Sequence, residues 1–224
     1  MSELCLNSHS AVKSTLKMID NFSDILNISI IDQTSINTTQ SINYSKVWAH
    51  RENYYYANAP HLLQPSEREL ESKLDHRGII FMVSNLSSTL ASLRLIQRPF
   101  EIEDYEFNSI DFNSYSNYWE IGRLVTSPEL DHIALALIVQ YLLCFAGLEL
   151  FSSKGCKGLI GICKPINTRF FSKFGMASSQ DIYCKNRNLN YKMLHGDIND
   201  ILNSTSKIIK HESRIRSRLT FLTV

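Results

Sequence analysis

A carboxylate stands in the middle of an otherwise apolar segment that alternates like a β-strand. Residues 119–125 read WEIGRLV, so Glu120 and Gly122 project to one face while Arg123 and Val125 project to the other. Because burying a lone carboxylate is costly, Glu120 needs a partner, or a raised pKa that suits it to accept a proton. Two interpretations stay open: a general base, or an edge-strand glutamate that pairs with a neighbouring arginine.

Sequence patterns typical of several other enzyme classes are absent. There is no GxGxxG, GxxxxGK[ST], HExxH or GxSxG motif. The histidines are scattered without metal-site spacing, and the five cysteines include no CxxC pair. We therefore expect no bound metal. The odd number of cysteines favours reduced thiols and a cytoplasmic protein over a secreted disulfide framework.

Composition and charge are those of a globular domain with one sizeable core. The chain has 224 residues, of which 44% are hydrophobic and 20% are charged. Lys and Arg number 23 against 22 Asp and Glu, and the net charge is +1. This balance argues against a nucleic-acid partner held by bulk electrostatics.

One segment has nearly the length of a membrane-spanning helix. Residues 133–150 are almost wholly apolar, but Gln140 and Glu149 interrupt them and strand-like segments flank them closely. A central helix buried against a sheet is the better interpretation, and we expect no integral membrane association. The N-terminus shows no signal-peptide pattern.

The first third of the chain is predicted to be helical, with a polar interruption. Residues 11–28 have one apolar helical face, residues 33–45 form a polar loop or linker, and residues 47–56 form a second helix. Ser66 and Glu69 have the spacing of a capping box at the start of a third helix. We place an N-terminal helical extension and linker at 1–43 and one domain at 44–224.

The rest of the chain mixes strands and helices. The pattern predicts an antiparallel hairpin, two further strands, two weaker ones and three helices: strands 78–84, 89–96, 118–126, 157–164, 181–185 and 190–194; helices 129–150, 165–174 and 197–213. Gly175 occupies the position of a C-cap glycine. Helices, a hairpin and then a β-α-β-α-β order indicate an α/β fold.

Within this frame, three short segments carry a family resemblance. The run ASLRL at 91–95, the pair Pro99-Phe100 and the run WEIGRL at 119–124 resemble the acyl-homoserine-lactone synthases and the related N-acyl amino acid synthases. The similarity covers about residues 47–176. It implies the GCN5-related N-acyltransferase fold, a mixed and mostly antiparallel sheet flanked by helices, whose fourth and fifth strands splay apart to admit a pantetheine arm.

The resemblance also implies roles for individual residues. Glu120 would be the catalytic proton acceptor, and the backbone of Leu124, Val125 and Thr126 would bind the acyl thioester and its pantetheine. The acceptor-binding residues would be a set of three arginines and one acid: Arg51, Asp75, Arg94 and Arg123. Two alternatives stay open, namely an ion pair between the sheet and the N-terminal helices for Arg123, and a solvent-facing side chain for Arg94.

Departures from the fold's usual pattern concern the acyl donor. Residues 170–176, FFSKFGM, resemble a helix ending whose tyrosine often protonates the departing thiolate, and Phe171 stands in that place. Residues 127–132, SPELDH, lack the paired glycines that cradle a pyrophosphate. This favours an acyl carrier protein over coenzyme A as donor, with neither bound as a resident cofactor.

An acidic carrier protein would need a basic docking surface. Basic residues concentrate in the C-terminal half: Lys154, Lys157, Lys164, Arg169, Lys173, Lys207, Lys210, Arg214, Arg216 and Arg218. A solvated face without a partner is the alternative explanation for these charges.

We therefore expect an N-acyltransferase that moves an acyl group, typically a fatty acyl group, to the amine of an amino acid or related small molecule, giving an N-acyl product or signal. Two alternatives are a lactone synthase that uses S-adenosylmethionine and a non-catalytic sensor of acyl carrier protein or lipid.

Overall fold

Seven strands and five α-helices make up the part of the chain that the computed structural model describes, residues 25–35, 38–104, 110–184 and 188–206. These residues fall into two compact units. The first unit holds residues 25–35, 38–96 and 123–142, and the second holds residues 97–104, 110–122, 143–184 and 188–206.

Two helices follow the first strand, and each of the other three helices follows a run of one to three strands. The strands are β1 (Asn27–Asp32), β2 (Gly78–Ser84), β3 (Thr89–Ile96), β4 (Tyr118–Thr126), β5 (Gly158–Cys163), β6 (Ala177–Cys184) and β7 (Leu189–Asp197). The helices are α1 (Thr38–Asn58), α2 (Pro65–Arg77), α3 (His132–Lys154), α4 (Thr168–Ser172) and α5 (Ile198–Ser206). Short 3₁₀ helices occupy Gln33–Ser35, Pro60–Leu63, Glu101–Asp104, Phe112–Tyr115 and Pro165–Asn167.

The sheet is mixed and mostly antiparallel, in the order β1-β2-β3-β4-β5-β7-β6. Antiparallel pairs join β1 to β2, β2 to β3, β5 to β7 and β6 to β7, whereas β4 and β5 run parallel. The β2–β3 hairpin confirms the predicted one, and its turn is closed by Asn85, whose Oδ1 accepts the amides of Ser87 and Ser88. The strand predicted at 118–126 is confirmed with the same ends.

In the first unit, helix α1 covers the hairpin with a buried stripe. Val47, Arg51 and Tyr55 recur every four residues and are all buried. Val47 packs in a cluster with Ile31, Ile80 and Met82, and Tyr55 packs with Leu62 and Val125. The stripe therefore carries one arginine into the interior of the first unit.

The second unit has its own core on the strands β5, β6 and β7. Ile160, Ile182, Tyr191 and Met193 form its centre together with Phe100 and Ile102 from the segment after β3. Gly175 follows α4 with a φ of +80°, which confirms the predicted C-cap glycine. The chain then turns into β6.

Helix α3 is the apolar helix that the sequence predicts. By length and hydropathy the stretch His132–Leu150 is the one helical segment among the described residues that could cross a membrane. Within it, 61% of the most apolar 18 residues are buried inside the protein. Gln140 is also buried, at 1% exposed. The helix thus has the burial of a core helix.

Three expectations near the N-terminus need correction or lie outside the described residues. The helix predicted at 11–28 lies almost wholly outside them, and its last two residues belong instead to β1. The polar linker at 33–45 is wrong, because α1 already begins at Thr38. The boundary between an extension at 1–43 and a domain at 44–224 stays a prediction, although β1 pairs with β2 along its whole length.

The predicted capping box is also wrong, whereas the helix predicted to start there is confirmed. Helix α2 begins at Pro65 with Gln64 as its N-cap, and no side chain caps it. Ser66 consequently lies inside the first turn. Proline at the first helical position has a fixed φ that suits a helix start, which explains the earlier beginning. The polar helix predicted at 197–213 is confirmed over Ile198–Ser206, and residues 207–213 lie outside the described ones.

Candidate active site

Two arginines share one aspartate in the interior of the first unit. Arg51 Nη1 lies 2.8 Å from Asp75 Oδ2 and 3.1 Å from Oδ1, and Arg94 Nη1 lies 3.2 Å from Oδ1. Arg51 and Asp75 are fully buried and Arg94 is 1% exposed. The solvent-facing alternative for Arg94 is therefore wrong.

A second carboxylate, Glu71, extends this group of charges. Its Oε1 accepts Arg123 Nε at 2.7 Å and the Tyr55 hydroxyl at 3.0 Å, and Arg51 Nη1 lies 3.7 Å away. The ion pair considered for Arg123 is thus present, between β4 and helix α2. We call Arg51, Glu71, Asp75, Arg94 and Arg123 the arginine cluster.

Three guanidinium groups face two carboxylates in the arginine cluster, so its formal charge is positive. Burial raises the pKa of Tyr44 to about 12, and burial also raises the pKa of Tyr55. Both phenols are therefore neutral donors, and the Tyr44 hydroxyl lies 3.2 Å from Asp75 Oδ2. Burial acts to lower the pKa of Arg51, but the negative charges of Asp75 and Glu71 outweigh it and the pKa is raised.

Not every polar atom of the arginine cluster is used. Among the described residues, Arg51 Nε and Nη2 and Glu71 Oε2 are buried without a hydrogen-bond partner. A buried donor without a partner is expensive, which makes such atoms candidates for contact with a bound group. The sequence predicted four of the five members and missed Glu71 as a site residue, as well as Tyr44 beside it.

Glu120 lies in the second unit, on a strand that is not at a sheet edge. It is 3% exposed, stands opposite Ile160 of β5, and its Oε2 accepts a short hydrogen bond from the Glu101 amide. The edge-strand alternative is wrong because β4 lies inside the strand order. A charge-assisted bond from a backbone N–H fixes the carboxylate in place.

Strand β4 changes its backbone geometry at Arg123, the last residue of the Glu-x-x-Arg segment at 120–123. Its parallel register with β5 runs from Tyr118 to Ile121. Arg123 has a φ of +53°, a left-handed conformation that is unusual for a residue with a side chain. Leu124, Val125 and Thr126, the residues expected to bind the acyl thioester, directly follow Arg123 in β4.

The start of helix α3 is closed by a carboxylate. Asp131 Oδ1 accepts the amides of Ile133 at 2.9 Å and Ala134 at 2.8 Å. These are the amides that a helix N-terminus offers to a phosphate. The side chain thus both occupies two donors and adds a negative charge where a pyrophosphate would bring more.

The helix α4 region carries the described part of the basic surface. Lys164, Arg169 and Lys173 are exposed, and Ile166 between them is 85% exposed. Residues 164–173 contain no acidic side chain. Lys157 is also exposed, whereas the predicted basic residues from Lys207 onward lie outside the described residues.

The buried cysteines do not have the environment of nucleophiles. Cys144, Cys156, Cys163 and Cys184 form no disulfide. Burial raises the pKa of the Cys163 thiol to about 11 and also raises the pKa of Cys156. Phe171, which stands where related enzymes often have a proton-donating tyrosine, is buried and has no acidic proton.

Comparisons with known proteins place the chain by its fold. No family model matches the sequence, and no curated protein matches it. An acyl-CoA N-acyltransferase from Pseudomonas aeruginosa is similar in structure, with a TM-score of 0.53 and 13% identity over 76% of this chain and 99% of that one. A solved structure described as an N-acetyltransferase from Lactobacillus plantarum gives 0.54 and 12%, over 78% and 99%.

A CoA-dependent acyl-homoserine lactone synthase, BjaI, solved with MTA, is similar over more of this chain. Its TM-score is 0.54 with 13% identity, over 87% of this chain and 90% of that one. These identities are low, so the likeness concerns the backbone alone. The strand order, the parallel β4–β5 pair and these neighbours show that the chain has the GCN5-related N-acyltransferase fold.

Proposed function

We propose that the protein is an N-acyltransferase that uses an acyl thioester as its donor. The observation that carries this proposal is Glu120, a carboxylate buried on an interior strand and held by the Glu101 amide, in a fold that known N-acyltransferases share. A carboxylate that is buried and held in place by a backbone amide is a group that can accept the amine proton, which this chemistry requires.

The proposed reaction is a direct acyl transfer. The neutral amine attacks the thioester carbonyl, the new C–N bond forms, and the C–S bond then breaks to release the thiolate. Glu120 accepts the amine proton directly or through one water, and the thiolate takes up a proton from water, since Phe171 cannot donate one. Backbone amides at Leu124, Val125 and Thr126 would stabilise the oxyanion and bind the pantetheine.

For the acceptor we propose an amino acid or a related small amine that carries a carboxylate. Arg94 and Arg123 would recognise it together with Arg51 and Asp75. The arginine cluster supports this because its formal charge is positive and two donor atoms of Arg51 are unused. Planar guanidinium groups suit a carboxylate better than a lysine does.

For the donor we propose an acyl carrier protein in preference to coenzyme A. The carboxylate of Asp131 at the start of α3 disfavours a pyrophosphate there. The exposed Lys164, Ile166 and Arg169 offer positive charge around an apolar side chain, which suits an acidic helical protein. A cytoplasmic location belongs to the same proposal, because the described cysteines form no disulfide.

Lactone synthesis is the second candidate function. It is favoured by the burial of two acids, Glu71 and Asp75, beside arginines, in a chain whose fold BjaI shares. It differs in requiring S-adenosylmethionine as the acceptor. A non-catalytic sensor would bind the thioester and turn nothing over.

The experiment is a thiol-release assay in which the donor and the amine are each left out in turn. Acyl carrier protein or coenzyme A thioesters of several chain lengths are mixed with a panel of amino acids, with the corresponding decarboxylated amines, or with S-adenosylmethionine, and the product is identified by mass spectrometry. We expect thiol release only when donor and amino acid are both present. Thiol release from the donor with S-adenosylmethionine but with no other amine identifies a lactone synthase. Binding of the donor without any thiol release identifies a sensor.

A further inference from the structure

A cavity of about 430 Å³ lies in the first unit. Helix α1, the turn between β2 and β3, and the segment that follows β4 form its wall. No member of the arginine cluster lines it. Its volume lies within the range of small-molecule sites in proteins.

Two opposite charges line this cavity without neutralising each other. Lys46 comes from α1 and Glu129 from the segment after β4, and both side chains are exposed. Within the described ranges, neither has an ion-pair or hydrogen-bond partner, so the two do not pair together. An ammonium and a carboxylate that face one space from separate elements suit a ligand that carries both charges.

The rest of the wall mixes polar and apolar side chains and adds no net charge. Burial lowers the pKa of His50, which an interaction with the Val125 backbone only partly offsets, so its ring is neutral at pH 7. Asn53 and Ser127 line the cavity and, in the described part of the chain, their side chains have no hydrogen-bond partner. The wall thus offers one positive group, one negative group and several neutral ones.

The hairpin turn presents acceptors to the cavity. Ser87 and Ser88 each direct the hydroxyl proton to Asn85 Oδ1, at 3.1 Å and 3.2 Å. Their remaining capacity is therefore for accepting hydrogen bonds. Together with the Glu129 carboxylate, these oxygens suit a ligand ammonium group, while Lys46 and Asn53 can donate to its carboxylate.

We propose that this cavity binds a small zwitterion, a molecule of amino-acid size that carries an ammonium group and a carboxylate. Binding there does not depend on the proposed acyl transfer, because it needs no donor. If the transfer also occurs, this site holds a second molecule of the same chemistry, separate from the acceptor at the arginine cluster.

The experiment measures binding to the full chain by calorimetry, without any acyl donor. The probes are L-serine and L-glutamine, each compared with its N-acetyl derivative, which lacks the ammonium, and with its carboxyl amide, which lacks the carboxylate. We expect at least one parent amino acid to bind with a Kd below about 10 mM and both of its derivatives to bind at least about tenfold more weakly.

Two variants and two controls locate the binding. Lys46→Gln and Glu129→Gln should each weaken the parent amino acid at least about tenfold. Lys73→Gln and Glu52→Gln remove exposed charges that pair with Glu69 and Arg68 away from the cavity, and should change nothing. Absence of binding by both parents, or binding to the Lys46→Gln and Glu129→Gln variants that is as tight as to the wild type, overturns the proposal.

The thiol-release assay separates this proposal from the proposed function. Zwitterion binding that Lys46→Gln weakens, without thiol release from any donor, sustains the site and contradicts the transferase. Thiol release with amino-acid binding that neither cavity variant changes sustains the transferase and contradicts the site.

Discussion

The shared aspartate of the arginine cluster has an energetic consequence. Asp75 is fully buried and contacts both Arg51 and Arg94. Asp75→Asn keeps the shape but leaves two buried cations without that negative charge. We expect the free energy of unfolding to fall by about 3–5 kcal/mol, measured by urea denaturation.

A control for this change lies on the same helix. Glu69 is exposed and pairs with Lys73 one turn along, where solvent screens the charges. Glu69→Gln should therefore leave the urea midpoint unchanged within error. Equal stability of the Asp75 and Glu69 variants would show that the buried charges are not coupled as the distances indicate.

The pH dependence of stability has a contribution from His50. Its folded-state pKa is below the unfolded value of about 6.5, so the folded protein binds the proton less readily than the unfolded chain. The free energy of unfolding therefore falls as pH drops through about 6.5, and this loss is complete below the folded-state pKa. His50→Gln should lose less stability than the wild type between about pH 7.5 and 5.5.

Urea titrations of both proteins at the two pH values give this difference directly. A wild type and a His50→Gln variant with the same loss of stability would contradict a neutral, partly buried ring at this position.

At the residue scale, the sequence predicts the buried arginines better than it predicts Glu71 and Tyr44, which belong to the same site. The resemblance pointed to Arg51, Asp75, Arg94 and Arg123, and the structure joins them through carboxylates. Glu71 was predictable, since Glu71, Leu74 and Asp75 share one helix face at spacings of three and four. Tyr44 was not, because its contact with Asp75 depends on how two helices pack.

At the scale of elements, the strand β1 shows why the first third was the hardest to predict. Its sequence NISIID has isoleucines that suit both a helical face and a strand, and the preceding segment favoured a helix. The deciding interaction is the pairing with β2, which is not local in sequence. The polar start of α1 was likewise mistaken for a loop, because few of its residues are apolar.

The glycine after α4 gives a prediction about an element boundary. A Cβ at Gly175 would lie 2.5 Å from the backbone oxygen of Asp200, and its φ is +80°. Gly155 also has a positive φ, +60°, but nothing lies within 4 Å of a Cβ there. Gly155→Ala should cost about 1–2 kcal/mol of unfolding free energy, the cost of the left-handed conformation.

Gly175→Ala should cost more than Gly155→Ala, because a backbone atom must also move. Urea denaturation of the two variants isolates this steric part. The same loss in both variants would show that α4 and α5 can separate without cost.

For the whole molecule, the fold class was predictable and the strand order was not. Runs of strands and helices indicated a mixed α/β fold, and the described part of the chain has seven strands in one mixed sheet. The placement of β7 between β5 and β6 follows from long-range pairing, which spacing along the chain does not encode.

The choice of donor is a prediction for the whole molecule. If an acidic carrier protein docks near α4, its thioester should outperform the coenzyme A thioester, and the advantage should shrink as salt rises, because the Debye length is about 10 Å at 0.1 M. Replacing Lys164 and Arg169 by glutamine should lower kcat/KM for the carrier donor alone. Lys73→Gln serves as the control.

Equal use of both donors at every salt concentration would leave these basic residues as solvated surface. A loss with the coenzyme A donor as well would assign them to the pantetheine site instead of a docking surface.

The proposed acyl transfer depends most on Glu120 as proton acceptor, and the variant Glu120→Gln tests this role directly. Glu120→Gln can still accept the Glu101 amide, so the fold and the urea midpoint should be retained. We predict that the rate of amine-dependent thiol release falls by about 10²–10⁴ relative to the wild type. An unchanged rate in the folded variant would contradict the catalytic role of Glu120.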